Sequence, residues 1–287
     1  MEISQLRYFT AVARHENMHA AAREIHASLG SLSHAITSLE NELGIQLFQR
    51  LNRNIRLTPQ GRALQSHALE LLDREAAARF ELSGLPGHLN VSLAGQEILC
   101  TEALARIEAR IKKSASNISF SITNRDNAKT ITAIENGEAL LGMITGEPPT
   151  HLTGKKLFHA SFKTCVSQDH PLYPLAKAGK SIPIQKVLEH SFATISENLL
   201  GTVDRYQSAD GWRDDKFPRK IGFTVDSLHL LEMLVRSGKA IAYLPDYFAE
   251  RTKLVMMNVS GCPYVCKHDV FLIARNPKLH SWMSPLF

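Results

Sequence analysis

The sequence predicts an α+β multidomain chain: an N-terminal winged helix-turn-helix, a long linker helix and a larger C-terminal α/β domain. Three observations predict it. Apolar residues recur at helical spacing in three short stretches before residue 44, and two short apolar-polar segments with arginines between them follow. A helical pattern then runs from Pro59 to about Leu82 and is broken by Ser83-Gly84-Leu85-Pro86-Gly87. Beyond Gly87, short apolar runs alternate with helical segments, the order expected of a parallel sheet covered by helices on both faces. With 287 residues, 44% hydrophobic and 21% charged, the chain has enough apolar residues for two domains and lacks the composition of a disordered one.

Leu6, Phe9 and Val12 predict a first helix of about ten residues. Asn17 is placed to cap a second, Met18 to about Ala27, whose Ala20-Ala21-Ala22 allow close packing. Ser28 caps the third, which runs to Leu43 and stops at Gly44, a residue suited to the left-handed position after a helix. Leu32, Ile36, Leu39 and Leu43 form its apolar stripe, and the opposite face carries Gly30, Ser33, His34 and Thr37. A merely solvated face would carry Lys and Glu, whereas short neutral side chains let a partner surface approach within hydrogen-bonding distance. Two short helices joined tightly, the second with such a face, make a DNA-reading helix-turn-helix. Leu47–Arg50 and Asn54–Leu57 predict two strands around Leu51-Asn52-Arg53, a basic wing.

Thr58 and Pro59 start the linker helix as cap and first residue. Leu64, Ala68, Leu71, Glu75, Ala78 and Leu82 alternate spacings of four and three, a heptad seam suited to pairing with a second copy. The C-terminal domain then reads as strand Leu89–Ala94, helix Thr101–Lys112, strand Ile118–Thr123, helix Ala128–Glu135 and strand Leu140–Ile144. A second set follows: strand Ser161–Ser167, a helix near Ile184–Leu188, strands Phe192–Ile195 and Ile221–Val225, helix Ser227–Arg236 and strand Ala240–Leu244. The last strand, Asp269–Ala274, returns to the first set.

Charge position says more than charge total. The net charge is +5, yet the first 87 residues hold nine arginines and nine acids, so the excess lies entirely in the C-terminal part. The window from Leu43 to Leu69 contains no acid but has Arg50, Arg53, Arg56 and Arg62, a patch suited to a phosphate backbone. Ser28, Leu29, Gly30, Ser31, Ser33, His34 and Thr37 on the third helix, with Arg50, Arg53 and Arg56 on the wing, are the candidate DNA contacts. No basic N-terminal region precedes an apolar run, no stretch approaches a membrane span of about 18 apolar residues, and four cysteines are too few for a disulfide framework. The expectation is a cytoplasmic protein with no membrane partner.

The run Ala21-Ala22, Ser28, Ser31-Leu32-Ser33, Ile36, Leu39-Glu40, Leu43-Gly44, Leu47-Phe48, Arg50, Arg56-Leu57-Thr58 and Gly61 resembles the N-terminal signature of LysR-type transcriptional regulators. Asn136-Gly137-Glu138, His170-Pro171-Leu172 and Val225-Asp226-Ser227 leading to Leu244-Pro245 resemble the family's effector domain more loosely. The resemblance implies a DNA-binding domain over 1–58, a dimerising linker helix and hinge over 59–87, and a periplasmic-binding-protein-like effector domain over 88–287. Its two lobes would span about 88–160 with 266–287, and 161–265. It also implies a homodimer through the linker helix, assembly into homotetramers, RNA polymerase as a partner if the protein activates, and a small-molecule effector but no cofactor. Where the family usually has Gln-Pro this chain has Leu29-Gly30, so a bidentate amide contact to adenine is replaced by at most a thymine-methyl contact. Ala139-Leu140 stands where relatives often carry Leu-Asp, and the segment after Trp282 is short for the family's last helix.

Ligands in open α/β sheets sit at the carboxyl ends of strands. That topology nominates Cys100 and Thr101, Thr123 and Asn124, Ser196 and Thr202, and Asp226 and Ser227 as effector contacts, with helix N-termini suited to an anion. Three rival signals carry less. His15-Glu16-Asn17-Met18-His19 matches a zinc-protease pattern but straddles the turn between two helices, so no metal site is expected. Cys262 and Cys266 read first as buried structural thiols and second as a redox pair. No nucleophile elbow, phosphate-binding loop or dinucleotide fingerprint is present, so no catalytic residue is nominated. The alternative from another class is a small-molecule binding protein whose N-terminal helices serve protein association.

Overall fold

The structure, a computed structural model, describes residues 1–51, 54–82, 88–111, 117–196, 199 and 208–287. The chain divides into two compact units, one built from Met1–Leu89 with Pro277–Ser284, the other from Asn90–Lys113, Ile118–Asn276 and Pro285–Phe287.

The first unit begins with α1 (Ile3–His15), α2 (Met18–Glu24) and α3 (Leu29–Leu43). Each start has a local chemical cause. Glu2 and Gln5 form a capping box on α1, the Asn17 side chain accepts from Ala20 N, and the Ser28 hydroxyl accepts from Ser31 N. Gly44 ends α3 at φ 66°. α2 stops three residues before the expected Ala27, because His26 takes a left-handed φ of 52° and Ala27 N–H turns back to Ala22 O at 3.0 Å. The core joins Leu6, Phe9 and Val12 of α1, Ala21 and Ala22 of α2, and Leu32, Ile36 and Leu39 of α3 to Leu47, Phe48 and Leu57. Strands β1 (Phe48–Leu51) and β2 (Asn54–Leu57) pair antiparallel, Phe48 opposite Leu57 and Leu51 opposite Asn54.

Helix α4 (Pro59–Leu82) is capped by Thr58, whose hydroxyl accepts from Gly61 N at 2.9 Å and donates to Gln46 O at 2.8 Å. The expected seam divides. Ala68, together with Leu64 and Leu72, packs into the N-terminal core, while Leu71, Ala78 and Leu82 stay exposed. Glu75 is held by Arg79 of its own helix and by Arg7 of α1 at 2.6 Å; the Arg79 bond first, then Arg7, outweigh burial and hold its carboxyl below the usual range. Among the described residues no helix is long and apolar enough to cross a membrane.

The second unit follows the order β3 (His88–Gly95), α5 (Glu97–Ile111), β4 (Asn117–Asn124), α6 (Asn127–Glu135), β5 (Leu141–Thr145) and β6 (Thr153–Val166). Then come α7 (Tyr173–Lys177), β7 (Ser181–Pro183), α8 (Ile184–Leu188), β8 (Ser191–Ile195), β9 (Lys220–Val225), α9 (Leu228–Arg236), β10 (Ala242–Pro245), α10 (Asp246–Arg251), β11 (Val255–Met256), β12 (Asn258–Ser260) and β13 (Lys267–Ala274). The main sheet runs β10-β6-β13-β5-β3-β4 with β11 beside β6. It is mixed rather than wholly parallel: β3 and β5 run parallel, but β13 is antiparallel to β5 and to β6, and β10 is antiparallel to β6. The returning β13 joins the first set as expected. β8 and β9 form a separate parallel pair, bridged at Phe192 to Ile241 beside β10.

Two boundaries moved for tertiary reasons. β6 starts eight residues before the expected Ser161, because its first half is solvent-facing and lacks apolar alternation, its strand state being imposed by pairing with β13. α5 starts at Glu97 rather than Thr101, because the side chain of Asn124, 27 residues away, accepts from Glu97 N at 3.1 Å. Near α7, buried His170 accepts Leu172 N–H at Nδ1 (3.1 Å) and meets the His190 ring at 4.8 Å. Burial first, and His190 second, push its pKa down to about 4. Below pH 6.5 the unfolded chain takes a proton that the folded one refuses, so this site costs stability as pH falls from about 6.5 to 4, by at most about 1.4 kcal/mol per unit. Urea midpoints at pH 7 and 5 are expected to differ less in His170→Asn than in the parent, and equal shifts would refute the assignment.

Candidate nucleic-acid interface and ligand cleft

On α3, Leu32, Ala35, Ile36 and Leu39 face the core, which turns Leu29, Gly30, Ser33, His34 and Thr37 outward to solvent. Ser28 and Ser31 are exposed too, but their hydroxyls share a 2.8 Å hydrogen bond at the cap, so they are tied to the helix start before any ligand arrives. Glu40, part of the family-like signature, does internal work: its Oε1 accepts from Leu47 N at 2.7 Å and Phe48 N at 3.1 Å, hitching the end of α3 to the wing. Arg56 is exposed on β2 opposite Gln49, and Arg50 pairs with Ile55 in the backbone register. Arg53 lies outside the described residues.

The zinc-like motif is taken apart by its neighbours. His15 pairs with Glu24, Glu16 sits in a left-handed turn at φ 44° and accepts from Leu57 N at 3.0 Å, and Asn17 caps α2. Among the described residues no group of three or more His, Cys, Asp or Glu side chains is arranged to hold a metal ion.

In the second unit a cleft of about 400 Å³ opens where β3, β4 and β9 lead into α5, α6 and α9, the carboxyl-end position that topology demands. Asn124 and Asp226 of the nominated residues line it. Cys100, Thr101, Thr123, Ser196 and Ser227 are not in the described lining, and Thr202 lies outside the described residues. The reasons are geometric. Cys100 is buried inside α5, where burial and then Glu97 push its thiol up to about 12, and the Thr101 hydroxyl donates back to Glu97 O at 3.0 Å. Ser227 caps α9 through Leu230 N at 3.5 Å.

The lining also contains charges that the strand-end rule missed: Glu97, Arg125, Asp126 and Lys129. Asp126 caps α6 through Lys129 N at 2.8 Å, and this bond, outweighing burial, holds its carboxyl below the usual range. The signal was present, since an Asp immediately before a helical run is a cap, and α6 begins at Asn127, one residue earlier than the expected Ala128. Lys129 pairs with Asp126 at 3.2 Å and Arg125 with Glu138 at 2.7 Å, whereas Glu97 and Asp226 form no ion pair among the described residues. The cleft thus presents both signs of charge, with its acids the less compensated.

Of the cysteines, Cys266 is buried with Sγ 3.0 Å from His268 Nε2, and burial pushes its thiol up to about 12, which leaves little thiolate for redox chemistry. Cys262 is only half-buried, contrary to the expectation for both.

The model of bacterial regulatory helix-turn-helix proteins of the lysR family matches residues 3–62, and that of the LysR substrate binding domain matches residues 84–281. The transcriptional dual regulator GltC of Bacillus subtilis (strain 168) is 28% identical over 258 residues, covering 88% of this chain and 83% of GltC. A full-length OxyR variant from Pseudomonas aeruginosa superposes with a TM-score of 0.64 at 20% identity, over 99% of this chain and 93% of that one. Full-length CbnR complexed with its target DNA gives 0.51 at 22%, over 99% and 97%; at these identities the structures share the fold. The chain belongs to the LysR family of bacterial transcription regulators, a DNA-binding helix-turn-helix joined to an effector-binding domain.

Proposed function

We propose that this regulator reads its operator with Ser33, His34 and Thr37 in the major groove while Arg50, Arg53 and Arg56 of the wing meet phosphates or the minor groove. The carrying observation is the outward face of α3, exposed and free of long charged side chains over Leu29 to Thr37. A titration on DNA upstream of its own gene or an adjacent divergent gene, at several salt concentrations, tests it. Arg56→Ala is expected to weaken binding to all sequences and reduce the salt slope by about one, whereas Thr37→Ala changes base preference at one position. An unchanged slope would remove Arg56 from the interface.

The exposed Leu71, Ala78 and Leu82 of α4 support a homodimer through this helix, assembling further into tetramers. RNA polymerase is a partner if the outcome is activation, the cytoplasm is the working compartment, and no enzymatic activity or cofactor is involved. The cleft charges support an effector carrying both signs, a small zwitterion of amino-acid type rather than a simple anion. Its ammonium meets Glu97 and Asp226, and its carboxylate meets Lys129 and Arg125. Calorimetry with amino acids against their N-acetylated forms is expected to show binding only with the free ammonium, and loss of that binding in Asp226→Asn.

A further inference from the structure

A second cavity, of about 310 Å³, lies away from the cleft residues, between β6, β10, β11, β12 and the 261–265 loop. Its size is at the lower end of small-molecule sites. In the β6–β10 register Tyr243 stands opposite Thr164 and Pro245 opposite Phe162, so Phe162, Thr164 and Tyr243 of the lining project from one face of the sheet. Lys163, the one charged residue in the described lining, pairs with Leu244 and projects with Cys165 from the opposite face. Among the described residues, the side chains turned into this box are therefore uncharged.

The polar groups of the box divide into used and unused. Trp212 Nε1 donates to Phe217 O at 2.8 Å, and the Tyr243 oxygen accepts from Cys266 N at 2.9 Å, with burial keeping that phenol protonated. Thr164 is 4% exposed, yet its hydroxyl makes no hydrogen bond among the described residues. Such a buried hydroxyl gains most from a ligand that brings one polar atom to it. A carboxylate or an ammonium, by contrast, would lose its water in the box with no opposite charge to meet it.

Shape narrows the ligand further. Tyr243 meets Phe162 at 5.5 Å with the rings tilted by 44°, and Trp212 at 5.0 Å and 82°. Neither pair is parallel, so the rings bound a rounded space instead of a slot for a flat molecule. Met257, buried and bonded through its N to Thr164 O at 2.8 Å, adds a thioether that adapts to irregular apolar shapes. Tyr264 and Val265 are more than two-fifths exposed, so the box opens to solvent on the loop side.

We propose that this box is a second ligand site, distinct from the effector cleft, for a small uncharged saturated alcohol whose oxygen meets the Thr164 hydroxyl. Cyclohexanol is the probe; cyclohexanecarboxylate adds a charge, and phenol flattens the ring. Saturation-transfer NMR on the full chain is expected to show saturable cyclohexanol binding, with each comparator at least fivefold weaker. Thr164→Val keeps the shape and removes the hydroxyl, and is expected to weaken cyclohexanol about fivefold in a chain that melts no earlier than the parent.

The half-buried Cys262 in the lining reports location on the unaltered chain, because the other three thiols are buried: saturating cyclohexanol is expected to slow its alkylation at least fivefold. No saturable cyclohexanol signal, a comparator binding within fivefold of it, parental affinity in Thr164→Val, or alkylation of Cys262 at an unchanged rate would each overturn the proposal.

Discussion

Gly61→Ala is expected to destabilise the N-terminal unit by about 3 kcal/mol or more, at the upper end of overpacking effects, and to weaken DNA binding with it. A Cβ at Gly61 would stand 2.2 Å from the Leu47 carbonyl oxygen and 2.8 Å from the Leu57 Cδ2. The Leu47 oxygen cannot easily retreat, since it accepts from Thr58 N at 3.0 Å. Relief requires the first turn of α4 to part from the wing, and the wing is what sets Arg56 relative to α3. Thermal denaturation and operator titration check it. A variant with parental melting and parental affinity would mean that this contact yields without consequence, and the wing would not depend on α4.

Arg219→Met is expected to cost roughly 3–5 kcal/mol in the effector-binding domain, the range for breaking a buried ion pair from one side. The Arg219 side chain is 1% exposed and that of Asp210 3% exposed. Its guanidinium spans Asp210 at 2.6 and 3.2 Å and Asp214 at 3.0 and 2.8 Å, and lies against the rings of Trp212 and Phe192 at 5.1 and 5.4 Å. Burial pushes the Asp214 carboxyl up, but bonds from Arg219 and Ser208 outweigh it and hold it below the usual range. Removing the cation alone strands a buried carboxylate at Asp210. The double change Arg219→Met with Asp210→Leu removes the guanidinium and the buried carboxylate, leaves Asp214, whose side chain is 38% exposed, to solvent, and is expected to recover most of the loss in urea denaturation. If the double variant were as unstable as the single one, ring packing rather than charge would be the larger contribution.

Local chemistry made much of the first unit legible. The cap bonds of Asn17, Ser28 and Thr58 each span three residues, and Gly44 ends α3 through its own left-handed backbone, so caps and the end of α3 could be read directly. Helical periodicity likewise sufficed for Leu32, Ile36 and Leu39, which are buried, but not for Leu43, the fourth member of the expected stripe, which is exposed at the end of α3. The heptad spacing of α4 was equally readable, yet spacing alone cannot tell which of its residues turn inward. Packing against α1 buries Ala68, leaves Leu71 and Leu82 outside, and gives Glu75 a partner, Arg7, 68 positions away.

The cleft was legible as a place and not as a set of residues. Strand order put Asn124 and Asp226 there, but α5 begins early because Asn124 caps it across 27 residues, and that turns Glu97 toward the cleft while Cys100 sinks into the core. The mixed direction of the sheet has the same origin, since the polar first half of β6 becomes a strand only against β13. What the sequence by itself determined is whatever a side chain settles with its nearest neighbours along the chain: caps, turns, the apolar stripe of α3 and the family signature. Tertiary structure decided the rest: which stripe residues are buried, which charges line the cleft, and how Phe162, Trp212, Tyr243 and Tyr264 meet in one box. Those outcomes are settled by partners tens of residues away, and burial changes the energy of a charge or a ring only once such partners have arrived.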